Sequence, residues 1–162
     1  SEDTEIGQDT IIYPATYIEG KNKIGKNCKI GPCAHLRGGV EVCDNVKVGN
    51  FVEVKKARIA SNTNVGHLSY IGDAELGEHV NIGAGTITAN YDPLSKVKSK
   101  TILKNNVKVG SNSVLVAPVT VDEGANIGAG GIITKDVPAW SLGLTRAPLK
   151  IFQDWVKTKL SN

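Results

Sequence analysis

Three histidines, His35, His67 and His79, are the side chains best suited to exchange a proton near neutral pH. His67 is set apart by position. It follows Val65 by two places and Gly66 by one, in a glycine-flanked segment where a side chain stands off the backbone rather than entering a core. A base so placed suits general acid–base chemistry on a bound substrate. His35 and His79 lie in other contexts and read as structural. Two cations are also unusually placed: Arg37 and Lys55 each directly follow an aliphatic residue, Leu36 and Val54, of a repeat whose next residue is commonly glycine. A guanidinium offers phosphate a bidentate fork and an ammonium a point charge, so this pair suits an anionic ligand. Cys28, Cys33 and Cys43 are odd in number and lack paired metal-ligand spacing; they read as reduced, inert thiols, and no metal is expected.

These residues hang on a repeat of six. Aliphatic side chains recur at Ile6, Ile12, Ile18, Ile24, Ile30, Leu36, Val42, Val48 and Val54. The count then slips by one residue to Ile59, Val65 and Ile71, slips again to Leu76 and Ile82, and next falls on Thr88. It resumes at Leu103, Val109, Leu115, Val121, Ile127 and Ile133. Small or β-branched residues recur four places after the aliphatic, as at Ala34, Val52, Thr63, Ser69 and Thr86. No helix has that period. A six-residue unit makes one short strand and one turn, three units close a triangular coil, and stacked coils bury the aliphatic ladder. The scarcity of aromatics and the wealth of Val, Ile and Gly agree with short strands and tight turns.

The period breaks once, between Thr88 and Leu103, so a loop over 89–102 must leave the column; long excursions from a strict solenoid commonly bind something. The column itself is expected over 1–138. A tail over 139–162 follows, in which Pro148, Leu149, Phe152, Trp155, Val156 and Leu160 predict an amphipathic helix that covers a coil end or packs on a neighbour. The net charge of +3 is scattered and forms no stripe of the kind nucleic acid requires. No apolar run spans a bilayer and no signal pattern opens the chain, so a cytoplasmic protein is expected. With the repeat already running at Ile6 and no capping segment before it, the chain reads as a fragment of something longer.

Three strings are more specific than the repeat: Val48 to Ala57 (VGNFVEVKKA), Gly66 to Ala74 (GHLSYIGDA) and Asn81 to Asp92 (NIGAGTITANYD). With Leu115 to Thr120 (LVAPVT), they resemble the acetyltransferase half of the bifunctional N-acetylglucosamine-1-phosphate uridyltransferase/glucosamine-1-phosphate N-acetyltransferases, over about Ile30 to Arg146. The resemblance implies a left-handed parallel β-helix, a handedness the crossover rule for parallel strands would not give. It implies transfer of acetyl from acetyl-CoA to the 2-amino group of glucosamine 1-phosphate, on the way to UDP-N-acetylglucosamine and bacterial cell-wall precursors, by a homotrimer with active sites between subunits. Carried over residue by residue, it implies His67 as base and Asn90 as its aid. Arg37, Lys55, Tyr70, Asn81, Tyr91 and Lys96 would hold the sugar phosphate, with Lys98 or Lys100 as substitutes for Lys96. Ala84, Ser111, Ala129 and Arg146 would line the coenzyme groove.

No glycine-rich nucleotide loop precedes the repeat, so uridyl transfer is not expected of this chain. Three other readings compete. A hexapeptide acetyltransferase for another amine or sugar is opposed by Arg37 and Lys55. A non-catalytic scaffold, such as an ice-binding one, needs a flat threonine array, of which only Thr86-Ile87-Thr88 is reminiscent. A zinc hydratase needs converging histidines, and these three occupy unequal positions in the hexad.

Overall fold

The computed structural model describes residues 2–160. Their strands are two to four residues long and stack, all parallel, into three sheets of seven, eight and seven strands. Successive strands along the chain visit the three sheets in turn, forming a three-sided prism, a left-handed parallel β-helix. The first face holds Val40–Val42, Arg58–Ile59, Ala74–Leu76 and Thr101–Leu103 among others; the second holds Lys47–Asn50, Asn64–His67, Asn81–Ile82 and Lys108–Val109; the third holds His35–Arg37, Glu53–Lys55, Tyr70–Gly72 and Ile87–Ala89.

The six-residue ladder is the core. Ile30, Leu36, Val48, Val54, Ile59, Val65, Ile71, Val121 and Leu115 are wholly buried, each worth about 1.5–3 kcal/mol of transfer from water. The small residue four places on also points inward: Ala34, Val46, Val52, Thr63, Ser69, Val80, Thr86 and Ser113 are buried. Their hydroxyls are satisfied locally, as where Thr63 Oγ1 donates to the Gly77 carbonyl at 2.7 Å and accepts from the Val80 amide at 3.0 Å. Thr88 takes the ladder position that the count assigned it, pairing in register with Leu115 and accepting from the Gly72 amide at 2.8 Å. Thr86 and Thr88 therefore face the core while Ile87 faces out, and the threonine array of the scaffold reading is not formed.

The corners explain the slips in the count. Most corners turn through a left-handed residue three places after the ladder, as at Asn27, Asn45, Asn62, Asn106 and Asn112. After Val54 and Ile71 the left-handed residue, Lys56 or Asp73, comes after two places, and the next rung follows one residue early at Ile59 or Leu76. His79 is itself such a corner, with φ 56°, and His35 Nε2 donates to the Glu19 carboxylate at 3.2 Å beside the Tyr17 ring.

Two boundaries shift. The column does not end at 138, because Leu142–Gly143 adds an eighth strand to the second face beside Asn126–Ile127. The helix expected from Pro148 onward is confined to Trp155–Leu160, with none of its residues buried, and Leu149, Ile151 and Phe152 are exposed. Amphipathic helices form where their apolar stripe has something to cover, and among the described residues the apolar side chains from Leu149 to Leu160 are exposed. Among the described residues no helix is long and apolar enough to cross a membrane.

Candidate active site

His67 closes the second-face strand Asn64–His67, at the corner where Leu68 turns the chain toward the third face. Its side chain is exposed, as its offset from the ladder predicts. In register one coil below lies Asn50, whose Oδ1 is 2.7 Å from His67 Nδ1. The same edge position in the coils above is held by Ala84, Ser111 and Ala129, each two places after a ladder residue. His67 thus stands at the foot of a column of small residues. With coils about 4.8 Å apart, the three steps from His67 to Ala129 span roughly 14 Å. At the top, the Arg146 guanidinium lies beside Gly128, 3.4 Å from where a Cβ there would sit.

The column is bare as well as narrow. A Cβ on Gly83 would come 2.5 Å from the Ser111 amide nitrogen, and one on Gly110 would collide with that of Ala129, so the coils stack here too closely for a side chain at either glycine. Next to His67, a Cβ on Gly66 would meet nothing within 4 Å, which makes a notch beside the imidazole. A groove of about 460 Å³ runs here, lined by His67, Asn81, Ala84, Ser111, Asn64 and Lys47. A second compartment of about 280 Å³ continues below His67 past Asn50, Lys47, Lys29 and Tyr13. Lys47, lost among scattered charges in the sequence, lines both compartments, in register with Lys29 on the coil beneath.

Around the corner, the third face gathers a different set. Arg37 and Lys55 are register partners on adjacent strands, and Gly72 continues their column. The absent side chain at Gly72 makes room for the Tyr70 ring, whose hydroxyl a Cβ would strike. Arg37 is already paired: Nη1 lies 3.0 Å from Glu53 and Nε 3.6 Å from Glu19, and the hydrogen bond to Glu53 raises its pKa further. Asn90 is buried and donates to Asp73 and, at 3.5 Å, to the Tyr70 hydroxyl. Its amide is thus engaged at the far edge of the third face and not beside His67.

The excursion is a short hairpin. Ser99 N donates to the Asn90 carbonyl at 2.9 Å, Asp92 N to the Val97 carbonyl at 3.0 Å, and Tyr91 bridges Lys98 in antiparallel fashion. The Ser95 hydroxyl at 2.6 Å, aided by the Leu94 amide, holds the Asp92 carboxyl below its ordinary pKa. Tyr91 and Lys96 are exposed on it, and neither lines the two compartments beside His67. Lys100 lies 2.6 Å from Glu75 on the first face, in a half-exposed pair. The structure therefore unites His67, Asn81, Ala84 and Ser111 in one groove, Arg37, Lys55, Tyr70 and Asn90 on the adjoining face, and leaves Tyr91 and Lys96 apart.

Fold and repeat define a class: residues 23–56 match the bacterial transferase hexapeptide (six repeats) and residues 101–135 the hexapeptide repeat of succinyl-transferase. The chain belongs to the hexapeptide-repeat acyltransferases. Its backbone also resembles UDP-N-acetylglucosamine acyltransferase from Arabidopsis, with a TM-score of 0.69 over 89% of this chain and 62% of that one; at 15% identity, the likeness speaks to fold alone. Within the class, the sequence is similar to proteins named bifunctional protein GlmU. It is 46% identical to that of Thermotoga sp. (strain RQ2) over 96% of its own length and 50% identical to that of Picosynechococcus sp. over 94%. The chain spans 42% and 30% of the length of those two relatives.

Proposed function

We propose that this chain transfers acetyl from acetyl-CoA to the 2-amino group of glucosamine 1-phosphate, as a cytoplasmic homotrimer with its sites between adjacent prisms. The observation that carries the reading is His67 at the foot of a bare column of Ala84, Ser111 and Ala129. A narrow track about three coils long, edged by the exposed Ser111 and Ala129, suits an extended pantetheine arm with their amides as hydrogen-bond donors and Arg146 near the nucleotide phosphates. The similarity to the GlmU proteins supports the same choice of donor and acceptor.

In this reading Arg37 and Lys55 grip the phosphate of the acceptor, the phosphate sharing Arg37 with Glu53, while Tyr70 and Asn81 take its hydroxyls. Neutral His67 removes a proton from the amine as its nitrogen bonds to the thioester carbonyl carbon. Charge gathering on the carbonyl oxygen is met by a column amide. Collapse of the tetrahedral intermediate breaks the C–S bond, and the imidazolium returns its proton to the departing sulfur, so no metal is needed. Tyr91 and Lys96, remote from His67 in one chain, reach the acceptor on a neighbouring prism; that is the physical argument for a trimer.

The test is thiol release from acetyl-CoA with glucosamine 1-phosphate as acceptor, against glucosamine without phosphate. The expected result is turnover with the phosphorylated sugar and a drop of about 10–100-fold in kcat/KM without the phosphate, since each charge-assisted contact is worth about 1.5–3 kcal/mol. Equal turnover of both sugars would remove Arg37 and Lys55 from the site.

A further inference from the structure

We infer that Asn50 is the positioning residue of His67, setting the tautomer in which Nδ1 carries the proton and the Nε2 lone pair is free; the inference rests on the reading of His67 as base. The contact is 2.7 Å long and runs from the imidazole Nδ1 to the amide Oδ1. A carbonyl oxygen only accepts, so the ring nitrogen facing it must donate. With Nδ1 protonated, a neutral ring has its one basic site at Nε2.

The backbone builds this contact. Asn50 and His67 are register partners on adjacent strands of the second face. Immediately before them the coils approach so closely that a Cβ on Gly49 would drive into the Gly66 carbonyl oxygen. Both strands then end in left-handed corners, Phe51 and Leu68, and the Leu68 amide donates to the Asn50 carbonyl at 3.1 Å. The two side chains are thus set one above the other by main-chain geometry, on strands rather than on a mobile loop. His67 is exposed, and Asn50 is the partner that holds its ring.

The residue type matters too. A carboxylate at this position would accept the same proton but would also stabilise the imidazolium, holding the base protonated near neutral pH. An amide fixes the ring without adding charge, beside a groove that already carries Lys47. No motif in a single coil announces this role, because it arises only when residue 67 is stacked on residue 50.

The test is ¹⁵N–¹H long-range correlation NMR of His67 at alkaline pH, where the ring is neutral, in the native chain, Asn50→Ala and Asn50→Asp. The Nδ1–H tautomer is expected in the native chain and in Asn50→Asp, and a loss of that preference in Asn50→Ala. Alongside it, kcat for acetyl transfer is expected to fall about 10–100-fold in Asn50→Ala with little change in KM for either substrate, the usual span for removing a group that orients a reactive one. Asn50→Ala should add nothing in a His67→Ala background. A native ring protonated at Nε2, or an Asn50→Ala variant with native tautomer and kcat, would overturn the inference. The expected tautomers in a chain that transfers no acetyl would uphold it and overturn the proposed reaction instead.

Discussion

On the first face, the outward residues one place before the ladder run Glu5, Lys23, Glu41, Arg58 and Glu75, alternating in sign and paired in register from coil to coil. Arg58 lies 3.5 Å from Glu41, and Lys100 closes the series 2.6 Å from Glu75. On the second face the same position holds Lys29, Lys47, Asn64, Asn81, Lys108 and Asn126, without an acid. Among the described residues neither Lys29 nor Lys47 pairs with a carboxylate, although like charges stacked on neighbouring strands repel. The two faces share a backbone and a ladder. One neutralises its charges against itself and helps hold register; the other keeps cations and side-chain amides outward, along the edge where His67 stands.

That contrast can be broken from either side. The largest effect is expected from His67→Ala, which should lower kcat for acetyl transfer by about two to four orders of magnitude without changing the unfolding midpoint, whereas Arg58→Ala on the first face should leave kcat unchanged. Next comes a pair of glycines one coil apart. Gly66→Ala places its Cβ in open space and should fold normally yet slow turnover at least ~10-fold by filling the notch at His67. Gly49→Ala, whose Cβ meets buried backbone, should destabilise the fold by about 1–3 kcal/mol in denaturant titration. Equal stabilities would show that the second-face edge is not packed as described.

The smaller effects belong to the first face. The Glu75 carboxyl is held below its ordinary pKa by Lys100, so its contribution to stability is complete above about pH 4.5 and fades as pH falls through the lowered folded value. Glu75→Gln should therefore cost only about 0.2–1 kcal/mol at pH 7, as befits a half-exposed pair, and the difference from the native chain should vanish in acid. Smallest of all is Thr101→Val. Its buried Oγ1 has no hydrogen-bond partner, so the methyl should be neutral or stabilise by up to about 1 kcal/mol in thermal unfolding.

How far the site could be read beforehand follows from the same geometry. The ladder, its slips and the rung at Thr88 were legible because the period is local: each aliphatic residue announces its own inward place. His67 was legible by its offset from Val65, and Arg37 and Lys55 by replacing the customary glycine. Asn50 and Lys47 were not, because their roles depend on which residue lies seventeen or so places away in the next coil, and that distance changes wherever a corner shortens. The inward turn of Thr86 and Thr88 needed the same register. The tail misled because its apolar spacing implies a helix only where a surface exists to receive it, and within one chain Phe152, Trp155 and Leu160 meet none.

The central claim is that the second-face edge above His67 is the track of the acyl donor. Titrating coenzyme A into ¹⁵N-labelled protein tests it without reference to turnover. Shifts confined to the amides of Ala84, Ser111 and Ala129 and their edge neighbours, with the Glu41–Arg58–Glu75 face silent, are the expected result. Shifts on the first face, or none along the edge at saturating coenzyme, would contradict it.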